Sequence, residues 1–252
     1  MEQIVLAAEH LKKNFRARGR EWAAVDDVSF QLRRGECLGI VGESGSGKST
    51  VARLLTRLIE PTQGRILLLG REITAAQGRE LMEVYQQIQM VFQLPAESFD
   101  PRRTLGDGIG ESLRNRGMDR RAVRSRVEAL MQRCGLEPEL AGRYPHQVSG
   151  GQCQRAAIAR ALAIGPSVLI CDEATSALDV TVQKQVLRLL IELRAQEGLS
   201  LLLISHDLAL VQASCDRVLV MHEGRIVESG APDEIIRSPK AEYTRRLIES
   251  AL

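Results

Sequence analysis

A five-residue apolar run, Cys37-Leu-Gly-Ile-Val41, opens directly into Gly42-Glu-Ser-Gly-Ser-Gly-Lys-Ser-Thr50 and then into Val51, Leu54, Leu55 and Leu58 at helical spacing. A buried strand, a glycine-rich turn and a helix in that order constrain the fold more than any other feature of the chain. The turn satisfies the pattern G-x-x-x-x-G-K-[ST]. Gly45 and Gly47 allow the backbone to close around phosphate groups, and the N–H groups of the turn and of the helix N-terminus favour an anion. Lys48 reaches the β and γ phosphates, and the Ser49 hydroxyl can ligate Mg²⁺. Residues Gly42, Glu43, Ser44, Gly45, Ser46, Gly47, Lys48, Ser49 and Thr50 are therefore the expected phosphate cradle. A plain glycine-rich turn would satisfy the glycines but not the flanking strand and helix.

A second apolar strand, Val168-Leu-Ile-Cys171, ends on Asp172 and Glu173. Open parallel sheets bind ligands at the C-terminal ends of their strands, so two carboxylates arrive where the phosphate loop also sits. Asp172 then supports the metal shell. Glu173, the next residue, is free to accept a proton from the water that attacks the γ phosphate or to position that water. The third feature is Val148-Ser-Gly-Gly-Gln152 ahead of a helix that runs to Ala163. Ser149 can cap that helix, and on its own this would be an ordinary cap. With the two other features, in this order, it gains weight.

Along the rest of the chain, Ile4 to Phe30 reads as short extended pieces suited to edge hairpins and interrupted by the basic loop Arg16–Arg20. Strands are expected at Arg65–Leu69, Ile88–Phe92 and Ser200–Ile204, and a hairpin from Val218 to Glu228 turning at Glu223-Gly224. Between about Leu94 and Arg160 the pattern becomes helical: Arg120 to Cys134 is an amphipathic helix closed by Gly135. A helix carrying Val182, Val186, Leu189, Leu190 and Leu193 ends before Gly198, and Pro232 leads a helical tail.

Charge decides against one class of partner. The 34 Lys plus Arg exceed the 32 Asp plus Glu by 2, and only 3% of residues are aromatic. That is too balanced to hold polyanions by net charge and too poor in rings to stack single strands, so nucleic acid is not expected. The start of the chain meets Glu2 at once and no long apolar segment follows, so neither a secretory signal nor a spanning helix is expected. The five cysteines, Cys37, Cys134, Cys153, Cys171 and Cys215, form no C-x-x-C pair and read as reduced thiols of the cytosol.

Taken together these motifs resemble the nucleotide-binding subunits of ATP-binding cassette transporters, from about Ile4 to the last residue. The resemblance implies an α/β fold: a P-loop NTPase with a RecA-like parallel core, an antiparallel β subdomain and an inserted α-helical subdomain. Core and β subdomain would comprise residues 1–93 and 161–252, and the helical subdomain 94–160. Gln93 stands at the glutamine-loop position, where family residues touch Mg²⁺ or water. Ser149, Gly150, Gly151 and Gln152 stand at the family signature, Ala177-Leu-Asp179 at the D-loop and His206 at the switch histidine. By resemblance His206 contacts the γ phosphate and holds the water and Glu173 in register; read alone it is a cap or a core hydrogen bond. Two subunits of this family close head to tail, so Ser149, Gly150 and Gly151 would act on ATP bound to the mate. An aromatic residue near the N-terminus stacks on adenine; Phe15 best matches that position, with Trp22 as the alternative.

Three stretches narrow the branch: Ile88–Gln93 with Asp100-Pro-Arg102, Tyr144-Pro-His-Gln147, and Ser176–Gln183, to which the tail Tyr243–Ile248 adds. They are similar to importers of oligopeptides, dipeptides and nickel. The chain departs from that pattern at Ala174, where proline is common, at Cys153, where arginine or glutamine usually follows the signature, at Leu94, where aspartate is frequent, and in a shorter tail without cysteines. The resemblance implies ATP and Mg²⁺ as cofactors and a peripheral position at the cytoplasmic face of a bacterial membrane. The implied partners are two membrane-spanning permease subunits, a second ATPase subunit, a paralogue in preference to an identical copy, and an extracytoplasmic substrate-binding protein acting indirectly. The cargo would be peptides or nickel and other metal chelates. A soluble, non-transport cassette and a nucleotide-gated module without turnover are the rival readings; the first usually brings tandem cassettes, coiled coils or basic arms, and the second a lost base or histidine.

Overall fold

The computed structural model describes residues 3–17, 19–174 and 179–251. Two long strands, β1 (Ile4–Ala17) and β2 (Arg20–Arg33), pair antiparallel as one hairpin. Pairing runs out to Ala17 opposite Arg20, so the two strands form one continuous hairpin and not separate edge pieces. Strands β4 (Gln63–Leu68) and the two-residue β5 (Arg71–Glu72) complete a four-stranded sheet in the order β2-β1-β4-β5.

The second sheet has six strands. Those are β3 (Cys37–Val41), β6 (Ile88–Val91), β7 (Val168–Asp172), β8 (Ser200–Ser205), β9 (Arg217–His222) and β10 (Arg225–Gly230), in the order β10-β9-β3-β8-β7-β6. All neighbours in it are parallel except β10, which returns antiparallel from β9 through Glu223-Gly224. The interior strands carry near-continuous apolar residues because both faces of this sheet are covered. Alternate side chains sort accordingly: Cys37, Leu169, Leu201 and Val218 enter one core, and Leu38, Val168, Leu202 and Leu219 the other. Each fully buried leucine contributes about 1.5–3 kcal/mol relative to an exposed one.

Helix α1 (Lys48–Leu55) follows β3 and lies in the second core with the antiparallel sheet. It ends earlier than the spacing of Leu58 suggests. The Thr56 hydroxyl bonds back to the Ala52 and Arg53 carbonyls, Arg57 turns left-handed at φ 58°, and Leu58 is left 49% exposed. Helix α2 (Gly78–Gln87) buries only Val84. Helices α3 (Leu105–Asn115), α4 (Arg120–Arg133) and α5 (Gly150–Leu162) pack on one another, with short 3-10 turns at Pro95–Ser98, Pro138–Gly142 and Pro145–Gln147. Gly135, at φ 67°, follows α4 as expected from the sequence.

Helix α6 (Val180–Glu197) is closed by left-handed Gly198, α7 (Leu208–Ser214) leads into β9, and α8 (Pro232–Arg237) and α9 (Glu242–Ala251) form the tail. Leu247 and Ile248 of α9 sit in the larger core. Among the described residues no helix is long and apolar enough to cross a membrane.

Candidate functional site

The loop between β3 and α1 needs its glycines for separate reasons. Gly42 has φ 153°, and a Cβ there would lie 2.1 Å from the Met221 carbonyl oxygen. At Gly47, with φ 103°, a Cβ would lie 2.3 Å from the Ala24 carbonyl oxygen. The loop is therefore wedged between β2 and the end of β9. Ser46 is buried within it, and its carbonyl accepts the Gly224 N–H at 3.0 Å.

Lys48 is the buried cation of this loop, only 4% exposed. Its Nζ donates to the carbonyl oxygens of Gly42 and Glu43, each at 2.8 Å, and approaches Ser46 Oγ at 3.4 Å. Burial lowers its pKa, opposed by the charges of Glu173, Asp172 and Glu43. The ammonium is thus folded back on its own loop, at the end of a flexible stem that can extend toward an arriving phosphate.

Strand β7 delivers the acidic pair. Asp172 Oδ1 accepts the Ser49 hydroxyl at 2.9 Å, and burial holds the Asp172 carboxyl above its ordinary range, moderated by that hydrogen bond. A buried carboxylate beside a hydroxyl is a hard-oxygen pair that suits Mg²⁺, which shares its remaining positions with phosphate and water. Glu173 adopts the left-handed region at φ 46°, while its N–H bonds the Ile204 carbonyl at 3.0 Å. The reversed backbone separates two side chains that are adjacent in sequence. Glu173 Oε2 accepts from Gln93 Nε2 at 3.0 Å and lies 3.8 Å from His206 Nδ1. Three strand ends, those of β6, β7 and β8, thereby converge on one carboxylate.

An open cleft of about 490 Å³ runs over these groups. Ser44, Gly45, Gly47, Lys48, Ser49 and Thr50 line it together with Gln93 and Glu173. Phe15 and Trp22, cross-strand partners near the hairpin tip with ring centroids 5.8 Å apart, also line it. The two candidates for the adenine platform are therefore one tilted pair, in which Trp22 is 49% exposed and Phe15 is half-buried with Lys13 Nζ 5.3 Å from its ring.

The signature residues are elsewhere. Ser149 caps α5 in a reciprocal box, its Oγ accepting from Gln152 N at 3.2 Å and Gln152 Oε1 accepting from Ser149 N at 2.9 Å. Ser149 and Gly150 are exposed, and Ser149, Gly151 and Gln152 line a separate cavity of about 190 Å³ with Arg155 and Val182. Asp179 caps α6, its Oδ1 accepting the N–H groups of Thr181 and Val182. Ala177 and Leu178, the other expected D-loop residues, lie outside the described residues. Of the departures, Ala174 and Cys153 are buried, while Leu94 is 46% exposed beside Gln93. All five cysteines are free.

Sequence reasoning missed Ala24, Arg53 and Tyr243. Arg53 lines the cleft one helical turn after Ser49, an i, i+4 relation readable once α1 is assigned. Ala24 enters through the β1–β2 register, and Tyr243 through its hydroxyl, which accepts the Glu43 N–H at 3.0 Å across most of the chain's length.

A family model described as ABC transporter matches residues 25–176. The oligopeptide transport ATP-binding protein OppF of Escherichia coli (strain K12) is 46% identical over 259 residues, covering 98% of this chain and 78% of that protein. The glutathione import ATP-binding protein GsiA of Salmonella paratyphi A is 48% identical over 230 residues, covering 91% of this chain and 37% of that protein. Among solved structures, the dimeric post-hydrolysis state of the ATP-binding cassette MJ0796 bound to ADP and Pi superposes with a TM-score of 0.83 at 27% identity, covering 90% of this chain and 98% of that one.

Proposed function

Because the chain belongs to the ABC transporter family, we propose that it is the ATP-hydrolysing subunit of an importer, energising uptake of peptides through separate permease subunits. The observation that carries this reading is the convergence of Gln93 and His206 on Glu173, which lines the same cleft as Lys48 and Ser49. A module that only bound nucleotide would have no use for a carboxylate held in that way. The named relatives act on oligopeptides and glutathione, so the cargo narrows to peptides, and the comparisons lend nickel no specific support.

The chemistry follows from the residues. Phosphate groups settle on the N–H groups of the loop and the N-terminus of α1, and Lys48 leaves the Gly42 and Glu43 carbonyls for the β and γ phosphate oxygens. Ser49 and Asp172 would hold Mg²⁺ with Gln93 at its edge, and the ion when bound neutralises charge on the phosphates. Glu173 Oε2 takes the proton of the attacking water as its oxygen approaches the γ phosphorus. The hydrogen bond from Gln93 keeps that carboxylate from rotating away, and His206 stands 3.8 Å from the same oxygen. The adenine stacks on the Phe15–Trp22 pair.

Ser149, Gly150 and Gly151 complete the site of a second ATPase subunit. The exposure of Ser149 and Gly150 on the capped end of α5, outside the lining of this chain's own cleft, supports action in trans, as does the dimeric cassette among the structural neighbours. We take the mate to be a paralogous chain; a native complex containing a single ATPase polypeptide would make it a second copy. Residues 94–160 act as the helical subdomain that pushes on the permeases, with Phe92 and Leu94, 36% and 46% exposed on either side of Gln93, as an apolar lip linking cleft to permease. An extracytoplasmic binding protein delivers cargo to those permeases, and the ATPase sits at the cytoplasmic face of the membrane.

Reconstitution of the complex with both permeases tests the reading. ATP-dependent accumulation of a labelled peptide in vesicles is the expected result; accumulation of Ni²⁺ chelate in its place moves the cargo, and nucleotide hydrolysis without either cargo or permease favours a non-transport cassette. The adenine platform has its own readout, since Trp22 is the single tryptophan. ATP should change its fluorescence, and Phe15→Ala should weaken ATP binding by about 1–3 kcal/mol if that ring carries the base. A fluorescence response with unchanged affinity in Phe15→Ala assigns the base to Trp22.

A further inference from the structure

We propose that Tyr243, on the C-terminal helix α9, is a positioning residue for the phosphate loop, holding from behind the peptide unit between Gly42 and Glu43. Its hydroxyl accepts the N–H of that unit at 3.0 Å, while the carbonyl oxygen of the same unit receives Lys48 Nζ at 2.8 Å. A trans peptide is planar, with its N–H and C=O on opposite sides. One unit is therefore gripped from both sides, by the tail of the chain and by the loop's own lysine.

Tyr243 is itself well fixed. Its ring stacks on His222 at 3.8 Å between centroids and 20° between planes. His222 follows Met221, whose carbonyl oxygen occupies the space a Cβ on Gly42 would need. The entry to α9 is tied down as well: the two oxygens of Glu228 accept the N–H groups of Lys240 at 2.8 Å and Ala241 at 3.0 Å. Leu247 and Ile248 anchor the far end in the core. The hydroxyl thus belongs to a surface that does not depend on the loop for its own position.

The consequence rests on the reading of the cleft as an ATP site. When Lys48 turns to the phosphates, the peptide unit loses one of its two holds, and Tyr243 is what keeps its plane, and with it the direction of the following N–H groups. Nucleotide in the cleft and α9 docked on the loop must then favour each other to the same extent, because such coupling is reciprocal.

Tyr243→Phe removes the hydroxyl and leaves the stacked ring. In the full chain without nucleotide, the Glu43 amide should exchange its hydrogen at least about five-fold faster than in the wild type, with Tm changed by less than about 2 °C. The Kd for ATP should rise about three- to ten-fold, the worth of one net hydrogen bond. ATP should slow tryptic cleavage at Arg245 and Arg246 in the wild type and fail to do so in the variant. Unchanged exchange at Glu43 overturns the proposal, and so does faster exchange with unaltered ATP affinity. The exchange measurement needs no nucleotide, so a failure of the ATP assignment, seen as a wild type that binds none, is distinguished from a failure of this one.

Discussion

Glu173→Gln is expected to slow ATP turnover in the assembled complex by about 10²–10⁴-fold, the range general-base catalysis supplies, while nucleotide still binds. The two side chains are nearly isosteric, and the amide oxygen of glutamine can still accept from Gln93 Nε2 as Glu173 Oε2 does at 3.0 Å. Only the capacity to take a proton disappears. Because binding and closure precede proton transfer, the complex should accumulate with ATP trapped in the cleft. Single-turnover hydrolysis and retention of labelled ATP after rapid gel filtration measure both effects. Hydrolysis at the wild-type rate would remove Glu173 from the role of base and return it to being an acidic strand end.

Lys48→Ala acts at an earlier step. Charge-assisted hydrogen bonds contribute about 1.5–3 kcal/mol each, so loss of one at the β and γ phosphates should weaken ATP binding by roughly 10–150-fold. The loss should follow the phosphates: large for ATP and ADP, small for AMP and adenosine, for which the proposed Phe15–Trp22 platform is the main contact. In the nucleotide-free protein the same change leaves the carbonyl oxygens of Gly42 and Glu43 without the donor they have at 2.8 Å. Titration through Trp22 fluorescence or calorimetry gives the affinities, and undiminished ATP affinity would count against the loop as a phosphate cradle. The opposite phenotypes of the two variants, tight binding without turnover and poor binding, separate the base from the cradle.

Much of this site is legible in the sequence because it sits at the ends of buried parallel strands. Cys37–Val41, Val168–Asp172 and Ser200–Ser205 are apolar on both faces, so each announces itself as a continuous run, and the residue that follows is where chemistry can be placed. Elements that bury little are harder to see. Helix α2 buries Val84 alone, which gives no stripe to read, and β5 is two exposed residues. The early end of α1 depends on the back-bonding hydroxyl of Thr56 and the left-handed turn at Arg57, neither of which a pattern of apolar spacing registers.

Long-range pairings form the other blind spot. That Phe15 and Trp22 are partners follows from the register of a hairpin, and the contact of Tyr243 with Glu43 follows from the docking of a helix 200 residues away. No local spacing encodes either one. The separation of Ser149 from its own chain's cleft is likewise a property of the folded surface, although the sequence does encode the capping box that rigidifies the tip.

The left-handed backbone at Glu173 has an evolutionary corollary. A residue with a Cβ in that region carries about 1–2 kcal/mol of steric opposition that glycine escapes, so selection for thermal robustness alone would drift this position toward glycine and remove the proposed base. If Glu173 is the base proposed here, a carboxylate that persists at such a position in descendants of this chain marks continuing demand for turnover, and its replacement by glycine would be an early sign that a copy has been released from that duty.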